Sequence, residues 1–282
     1  MSHAIIIPIY CENRNTINLC NELQNFGAEH IVVVNDGLNP KSEYFNELTS
    51  IGCHLVHLKN NNGKGASLKA GIKYAHDNLY NITGYITCDA DGQHTANDVM
   101  KISRMLDLRN GNLILGKRDY KKSKMPINIR IGNRLSSAYF KVITGKSCRD
   151  TQTGLRGIPA FLYDTVMKTK GSRFDFEMNF LTKCADMRVP FYFVNIIADC
   201  SNCSSNFRLI KDTYLIYRTP LRFATASIGC TIIDLVLFTI FAYILPSHMF
   251  FNIMLATLMA RVVSGGINFL INRKVIFGNT DN

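Results

Sequence analysis

The sequence predicts an α/β fold built on a mainly parallel sheet, followed by a hairpin of two membrane-crossing helices. Three observations carry this reading. Short apolar runs alternate with helix-like stretches along the first two-thirds of the chain, the pattern of repeated βα units. Those runs are β-branched and apolar on both faces, as strands covered on both sides require. From Phe223 onward the composition turns almost wholly apolar.

Taken in order, strands are expected over residues 4–7, 31–34, 54–58, 85–88 and 113–115. Helices are expected over 15–25, 65–78, 96–108 and 127–143, and a later helix at 174–187 precedes a last strand at 190–197. The first run holds three isoleucines before Pro8, too short an apolar core for export, so this part of the chain is expected in the cytosol. Residues 223–245 are long enough to cross a bilayer, for which about 20 suffice. Residues 250–271 give a second span, joined to the first by the turn Pro246-Ser-His248. Arg218 and Arg222 precede the first span and Arg273 and Lys274 follow the second, while the turn carries neither Lys nor Arg. The positive-inside rule then places both ends, and the domain before them, in the cytosol of a two-span cell-membrane protein. Asp234 and Arg261 fall mid-span, where an ionisable side chain is costly unless paired or functional. A mutual salt bridge is expected; contact with a lipid phosphate or a partner subunit is the alternative. Ser264, Gly265 and Gly266 permit close helix packing within one copy or between copies, so a homo-oligomer stays open. Residues 206–219 mix Phe207, Leu209, Ile210, Tyr214, Ile216 and Tyr217 with Arg208, Lys211 and Arg218, which suits an amphipathic helix on the membrane face. The expected division is 1–205 for the catalytic domain, 206–221 for the juxtamembrane segment and 222–282 for the hairpin.

A formal charge of +11 over 282 residues points to an anionic partner: nucleic acid, a membrane surface or a phosphorylated substrate. With two membrane spans and no aromatic-basic platform, nucleic acid is discounted. The nine cysteines are scattered, mostly in apolar runs, which argues against a disulfide framework. Cys200-x-x-Cys203 has no second pair and no nearby histidine, so a reduced cytosolic pair is the better reading than a zinc or redox site.

The segment Asp89-Ala90-Asp91-Gly92-Gln93-His94 follows Gly84-Tyr-Ile-Thr-Cys88, which reads as a buried strand ending in two carboxylates one residue apart. Alternation along an extended chain would point both the same way, toward one cation. Mg²⁺ and Mn²⁺ prefer such oxygens, and Mg²⁺ takes one or two carboxylates plus substrate phosphates. A solvated turn is the competing reading, since Asp and Gly are common turn formers.

Pro8-Ile-Tyr10-Cys-Glu12 and Asn35-Asp36-Gly37 leave the carboxyl ends of neighbouring strands, where open α/β sheets bind ligands. Together with Asp89-Ala-Asp91, this set resembles the nucleotide-sugar site of family 2 glycosyltransferases with the GT-A fold. Asn61-Asn-Gly63-Lys64-Gly65-Ala66 opens a helix with glycines and a lysine suited to an anion, without the spacing of a Walker A loop. It is similar to the Gly-Lys-Gly element of polyprenyl-phosphate sugar transferases, the dolichol-phosphate mannose synthase-like branch. Gly116-Lys-Arg118, Asp150-Thr-Gln152-Thr-Gly154-Leu-Arg156, Arg173-Phe-Asp-Phe-Glu177 and Ser205-Asn-Phe207-Arg208-Leu-Ile-Lys211-Asp212 also resemble that branch. Asn35 and Leu38 depart from its usual Asp-Asp-Gly-Ser. Asn268-Phe-Leu-Ile-Asn272-Arg273-Lys274-Val-Ile-Phe277 resembles the first half of a GtrA-like membrane domain, which usually has four spans where two are read here.

The resemblance implies roles. Asp91 would ligate Mg²⁺ or Mn²⁺ directly, with Asp89 and Gln93 completing or orienting the site. Pro8, Tyr10, Glu12, Asp36, Lys64 and the Asp89-Ala90-Asp91 run would bind the nucleotide sugar. Arg118, Arg130, Arg134, Ser136 and Arg208 would meet an acceptor phosphate, which arginine serves better than lysine. The implied reaction is inverting transfer of a sugar from a UDP- or GDP-linked donor to a polyprenyl phosphate. An anionic acceptor hardly needs a base, whereas a sugar hydroxyl would need one, with Asp150 the natural candidate. A sugar-hydroxyl transferase and a catalytically silent nucleotide-sugar-binding membrane adaptor are the competing functions. UDP-glucose, UDP-GlcNAc, UDP-galactose and GDP-mannose all stay open as donors.

Overall fold

The computed structural model describes residues 2–119, 127–197, 209–245 and 250–271. They belong to two units, divided between Phe207 and Arg208. In the first, β1 (Ser2–Ile9), β2 (His30–Asp36), β3 (His54–Leu58), β4 (Ile82–Thr87), β5 (Leu113–Arg118), β6 (Arg156–Pro159) and β7 (Phe191–Ile196) form one sheet of order β3-β2-β1-β4-β6-β5-β7. Neighbours are parallel except around β6, which runs antiparallel to both β4 and β5.

Alternation along the central strands divides the core in two. Ile5 and Ile7 of β1 join Ile31 and Val33 of β2 beneath α1 (Arg14–Asn25), α2 (Glu43–Ser50) and α4 (Ala96–Leu108). Ala4 and Ile6 join Val32 and Val34 on the other face, beneath α3 (Lys64–Asn78), α5 (Ile127–Thr144), α6 (Tyr163–Lys168) and α7 (Asp175–Asp186). Continuous Ile/Val runs suit strands buried on both faces.

The chain winds outward from β1 through β2 to β3, then returns to the other side of β1 as β4. This reversal leaves a crevice at the carboxyl ends of β1 and β4, the place where open α/β sheets bind ligands. Pro8 helps to open it. The Ile6 carbonyl accepts from the Cys88 amide, and the β1–β4 register ends at Ile6 and Thr87. Pro8 has the parity of Ile6, so the side on which it lacks an N–H is the side where pairing has stopped. A proline is tolerated in this central strand for that reason.

Every strand and helix expected in this unit is present, several of them longer. The extensions of β2 and β5 matter most, because they carry Asp36 and Arg118 to the last positions of their strands. The sequence reading missed α2, α6 and β6. The first two are helices of 8 and 6 residues, and β6 has 4 residues of which Gly157 and Pro159 disguise a strand.

The second unit is a hairpin of α8 (Leu209–Ile244) and α9 (Phe250–Ile271). Ser227–Ile244 and Phe251–Leu270 are long and apolar enough to cross a membrane. α8 runs without a break through residues 209–221, the described part of the segment 206–221 expected to lie on the membrane face. The expected pairing of Asp234 with Arg261 is present, Nε standing 3.6 Å from Oδ2, and the Ser264 hydroxyl donates to Asp234 at 2.7 Å. The turn at 246–248, Cys200, Cys203, Arg208, Arg273 and Lys274 lie outside the described residues.

Candidate active site

The β4 strand ends at Thr87, and Cys88 makes the last ladder bond. Residues 90–92 then bend, so the extended alternation expected to aim Asp89 and Asp91 together does not apply. What holds the two carboxylates is different for each. Asp89 meets the Lys64 ammonium at 2.6 Å, and Lys64 also lies 3.2 Å from Glu177. The buried His94 ring stands 3.5 Å from the other Asp89 oxygen. Burial opposes the charge on Asp89, but Lys64 and then His94 outweigh it and hold the carboxyl far below the usual range. Burial likewise opposes the charge on Lys64, and Asp89 and Glu177 more than reverse it, so the ammonium stays charged.

Asp91 is placed otherwise. Its oxygens accept from the Gln93 amide N–H at 3.1 Å and from the Gln93 side-chain amide. Burial, then the charge of Asp89, pushes its carboxyl upward. Among the described residues Asp91 thus has no ion-pair partner, beside a carboxylate that has one. The Thr16 hydroxyl, in the first turn of α1, donates to the Ala90 carbonyl at 3.1 Å and ties the bend to the β1–α1 loop. In that loop Glu12 is exposed. Burial, then Cys11 and the carboxylates of Asp91 and Asp89, pushes the Tyr10 phenol up to about 12.

Asp36 is almost fully buried at the end of β2. It accepts from the backbone amides of Asn62 at 2.7 Å and Gly63 at 2.9 Å, so it shapes the loop from which Lys64 departs. That loop is pressed against the start of α7: the Ala66 amide donates to the Ser172 carbonyl at 2.9 Å. At Gly63, φ is +94° and a Cβ would meet Arg173 Cγ at 2.6 Å, so both conformation and space demand glycine.

Arg118 and Asp150 form a buried bidentate pair, Nε to Oδ2 at 2.7 Å and Nη2 to Oδ1 at 2.8 Å. Asp150 is 0% exposed. A general base must reach the proton it removes; here both oxygens are spent on Arg118 and its backbone amide. We expect Asp150→Ala to cost about 3–5 kcal/mol by removing the bidentate carboxylate from the buried Arg118 guanidinium, measured as a lower melting temperature of the solubilised chain. Unchanged melting with lost turnover would instead make Asp150 a base.

Ser136 lies on the inward face of α5 and accepts from the Thr151 hydroxyl at 2.8 Å, beside Asn133, whose amide donates to the Arg149 carbonyl at 3.3 Å. Arg130 is half-buried and Arg134 is exposed, so the three α5 residues proposed for an acceptor do not share one face. Arg156 spends its guanidinium on the carbonyls of Thr153, Glu177 and Thr151, each at 3.0 Å, and knits the 150–156 loop to α7.

Glu177 and Gly154 were quoted in the sequence only as parts of longer motifs, yet both touch Asp89's surroundings. The Thr87 hydroxyl holds the Gly154 carbonyl at 2.7 Å, and a Cβ added at Gly154 would fall within the Asp89 carboxylate. We expect Gly154→Ala to displace Asp89 and reduce turnover on the order of 10²-fold, the usual cost of misplacing a site by about 1 Å. Far-ultraviolet circular dichroism should remain that of the parent.

A profile described as Glycosyl transferase family 2 matches residues 4–164, more than half of the chain. The chain belongs to glycosyl transferase family 2. As a member of that family it is a glycosyltransferase, and its sheet is the GT-A fold. An uncharacterized protein of Methanocaldococcus jannaschii is 31% identical over 186 residues, covering 63% of this chain and 73% of that protein. The UDP-N-acetylglucosamine–dolichyl-phosphate N-acetylglucosaminyltransferase of Methanococcus voltae is 29% identical over 170 residues, covering 54% of this chain and 67% of its own. Among solved structures, glucosyl-3-phosphoglycerate synthase from Mycobacterium tuberculosis, in complex with Mn²⁺, UDP-glucose and phosphoglyceric acid, superposes with a TM-score of 0.58 at 11% identity. The match covers 77% of this chain and 79% of that one. At that identity the likeness concerns the fold.

The donors present fit a divalent cation of the Mg²⁺ or Mn²⁺ kind. Among the described residues no three His, Cys, Asp or Glu side chains gather to hold a metal alone. Asp91 nevertheless offers hard carboxylate oxygens that pair with no cation among the described residues, and such ions complete their shell with substrate phosphates.

Proposed function

We propose that this family 2 enzyme is an inverting, metal-dependent transferase. It would move a sugar from a UDP- or GDP-linked donor to a polyprenyl phosphate at the cytosolic face of a cell membrane. The observation that carries the reading is the pairing of Asp91 with the braced Lys64–Asp89–Glu177 network at the β1–β4 crevice. The same chain carries two helices able to cross a bilayer. The Methanococcus voltae relative, named for dolichyl phosphate, supports a lipid acceptor. The mycobacterial neighbour, bound to Mn²⁺ and UDP-glucose, supports donor and ion.

In this reading Pro8, Tyr10, Glu12 and Asp36 form the nucleoside side, Asp36 acting through the loop amides it holds. Mg²⁺ or Mn²⁺ would be held by Asp91, with Asp89 and Gln93 orienting it, and supplies charge neutralisation for the departing nucleoside diphosphate. Lys64 and Glu177 fix Asp89, so the crevice keeps its charge arrangement before substrate arrives. The acceptor oxygen is already anionic and attacks the anomeric carbon from the face opposite the leaving group, which inverts it. No base is needed for that attack, and the enclosure of Asp150 supports such an acceptor. Arg118, held rigid by Asp150, together with Arg130 and Ser136, would meet the acceptor phosphate; Arg208 is proposed from the sequence alone. The hairpin is proposed as half of a GtrA-like membrane unit, with association of copies through Ser264, Gly265 and Gly266. A monomeric mass in both detergent and nanodiscs would remove that association.

The test uses purified membranes, undecaprenyl phosphate, Mg²⁺ or Mn²⁺ and a panel of labelled nucleotide sugars. Metal-dependent label in the organic extract supports the reading and names the donor. Nucleotide release without lipid label points to a sugar-hydroxyl acceptor. Donor binding without turnover points to the adaptor.

A further inference from the structure

α5 turns an apolar face outward. Ile127, Ile131, Leu135, Ala138 and Val142 recur at helical spacing and fall within one narrow stripe. All are exposed, Leu135 at 62% and Val142 at 84%. The opposite face is packed, with Asn133, Ser136 and Phe140 buried. The stripe is therefore surplus to the core. Arg134 and Lys141, both exposed, flank it on one side.

At the C-terminal end of the same helix lies a cavity of about 340 Å³ lined by Lys117, Ser147, Arg149 and Phe193. It adjoins α5 through β7, where Phe191 stands 6.2 Å from Phe140, ring to ring, two residues before Phe193. Lys117 is half-buried and Arg149 exposed, and among the described residues no ion pair or hydrogen bond engages either side chain, the Asn133 amide meeting only the backbone carbonyl of Arg149. No carboxylate lines the cavity. Two uncompensated cations, a hydroxyl donor and an aromatic wall fit a phosphate-bearing group with an apolar stem. An apolar stripe with basic flanks is the pattern of a helix lying in a bilayer interface.

We infer that α5 and this cavity form one membrane contact of the catalytic unit: the stripe enters the apolar side of the interface, and Lys117, Ser147 and Arg149 take the phosphate headgroup of an anionic lipid. The contact is distinct from the acceptor position proposed at Arg118, whose side chain leaves the opposite side of β5 from that of Lys117. It rests on the membrane reading of the hairpin but not on sugar transfer.

The chain contains no tryptophan, so a single one serves as a probe in the full-length protein. Leu135→Trp and Val142→Trp would be reconstituted in phosphatidylcholine vesicles carrying brominated phosphatidylglycerol or brominated phosphatidylcholine at equal mole fraction. Tyr80→Trp, at an exposed site beyond the far end of the sheet, is the control. Blue-shifted emission quenched by brominated lipid at 135 and 142, with none at 80, is expected. Brominated phosphatidylglycerol should quench Val142→Trp more strongly. Lys117→Gln with Arg149→Gln should remove that preference, at about fivefold per lost charge. Water-like, unquenched emission at 135 and 142 would overturn the contact, whether or not another protein covers the helix. Equal quenching by both lipids would overturn the headgroup site. Quenching as expected in a protein that transfers no sugar would sink the proposed function and leave this contact standing.

Discussion

Asp91→Ala is expected to lower sugar transfer on the order of 10³-fold or more while leaving the fold intact, the scale of losing a principal electrostatic contact to a leaving group. The residue sits in a bend after β4, partly exposed, and its contacts are to Gln93 two positions away. Removing it therefore relieves an unfavourable negative charge beside Asp89 and leaves no buried partner stranded. Thermal melting of the variant should match or exceed that of the parent in the absence of metal. The gain in melting temperature that Mn²⁺ and nucleotide give the parent should be lost, as binding linkage requires. A variant that still gains stability from Mn²⁺ and nucleotide, and still turns over at the parent rate, would move the ion away from Asp91.

Lys64→Met is expected to act on stability first. Among the described residues its ammonium is the sole cation within ion-pairing distance of Glu177 and the nearer of two partners of Asp89. All three side chains are mostly shielded, at 17%, 20% and 9% exposure. Deleting the cation leaves two buried carboxylates facing one another, which costs about 3–5 kcal/mol. Adding Glu177→Gln should recover part of that loss, since one uncompensated charge disappears; the two effects are non-additive because the residues touch. Transfer should fall in both variants, because Asp89 loses its brace. A Lys64→Met protein that melts like the parent would mean that the lysine is held for substrate alone.

The fold was legible because its signals are local. Ile/Val runs mark β1 and β2, an apolar run marks β4, and helix signatures follow β1 and precede β4, so the βα alternation was readable along the chain while the order of strands in the sheet was not. Short elements gave no such signal: α2 and α6 are too brief for periodicity, and β6 reads as a Gly–Pro turn until β4 and β5 flank it. The site divides in the same way. Asp36, Lys64, Asp89 and Asp91 stand at strand or helix ends inside contiguous motifs, and all four meet at the crevice. Their partners could not be read off, because each lies far along the chain: Glu177 from Lys64, Asp150 from Arg118, Gly154 from Asp89. Which acid a buried lysine will meet is decided by packing, which no spacing rule encodes. The direction of α5 was hidden for a related reason. Its buried face carries Asn133 and Ser136 and its outer face isoleucine, leucine and valine, the reverse of what a helix on a soluble core would display.

The structure of the product tests the proposed transfer most directly. The donor that labels lipid would be used at scale with polyprenyl phosphate, and the purified lipid examined by mass spectrometry and nuclear magnetic resonance. One sugar attached through the lipid phosphate is expected, with anomeric configuration opposite to that of the donor, and no product from Asp91→Ala. A sugar joined to a hydroxyl, or a retained configuration, would contradict it.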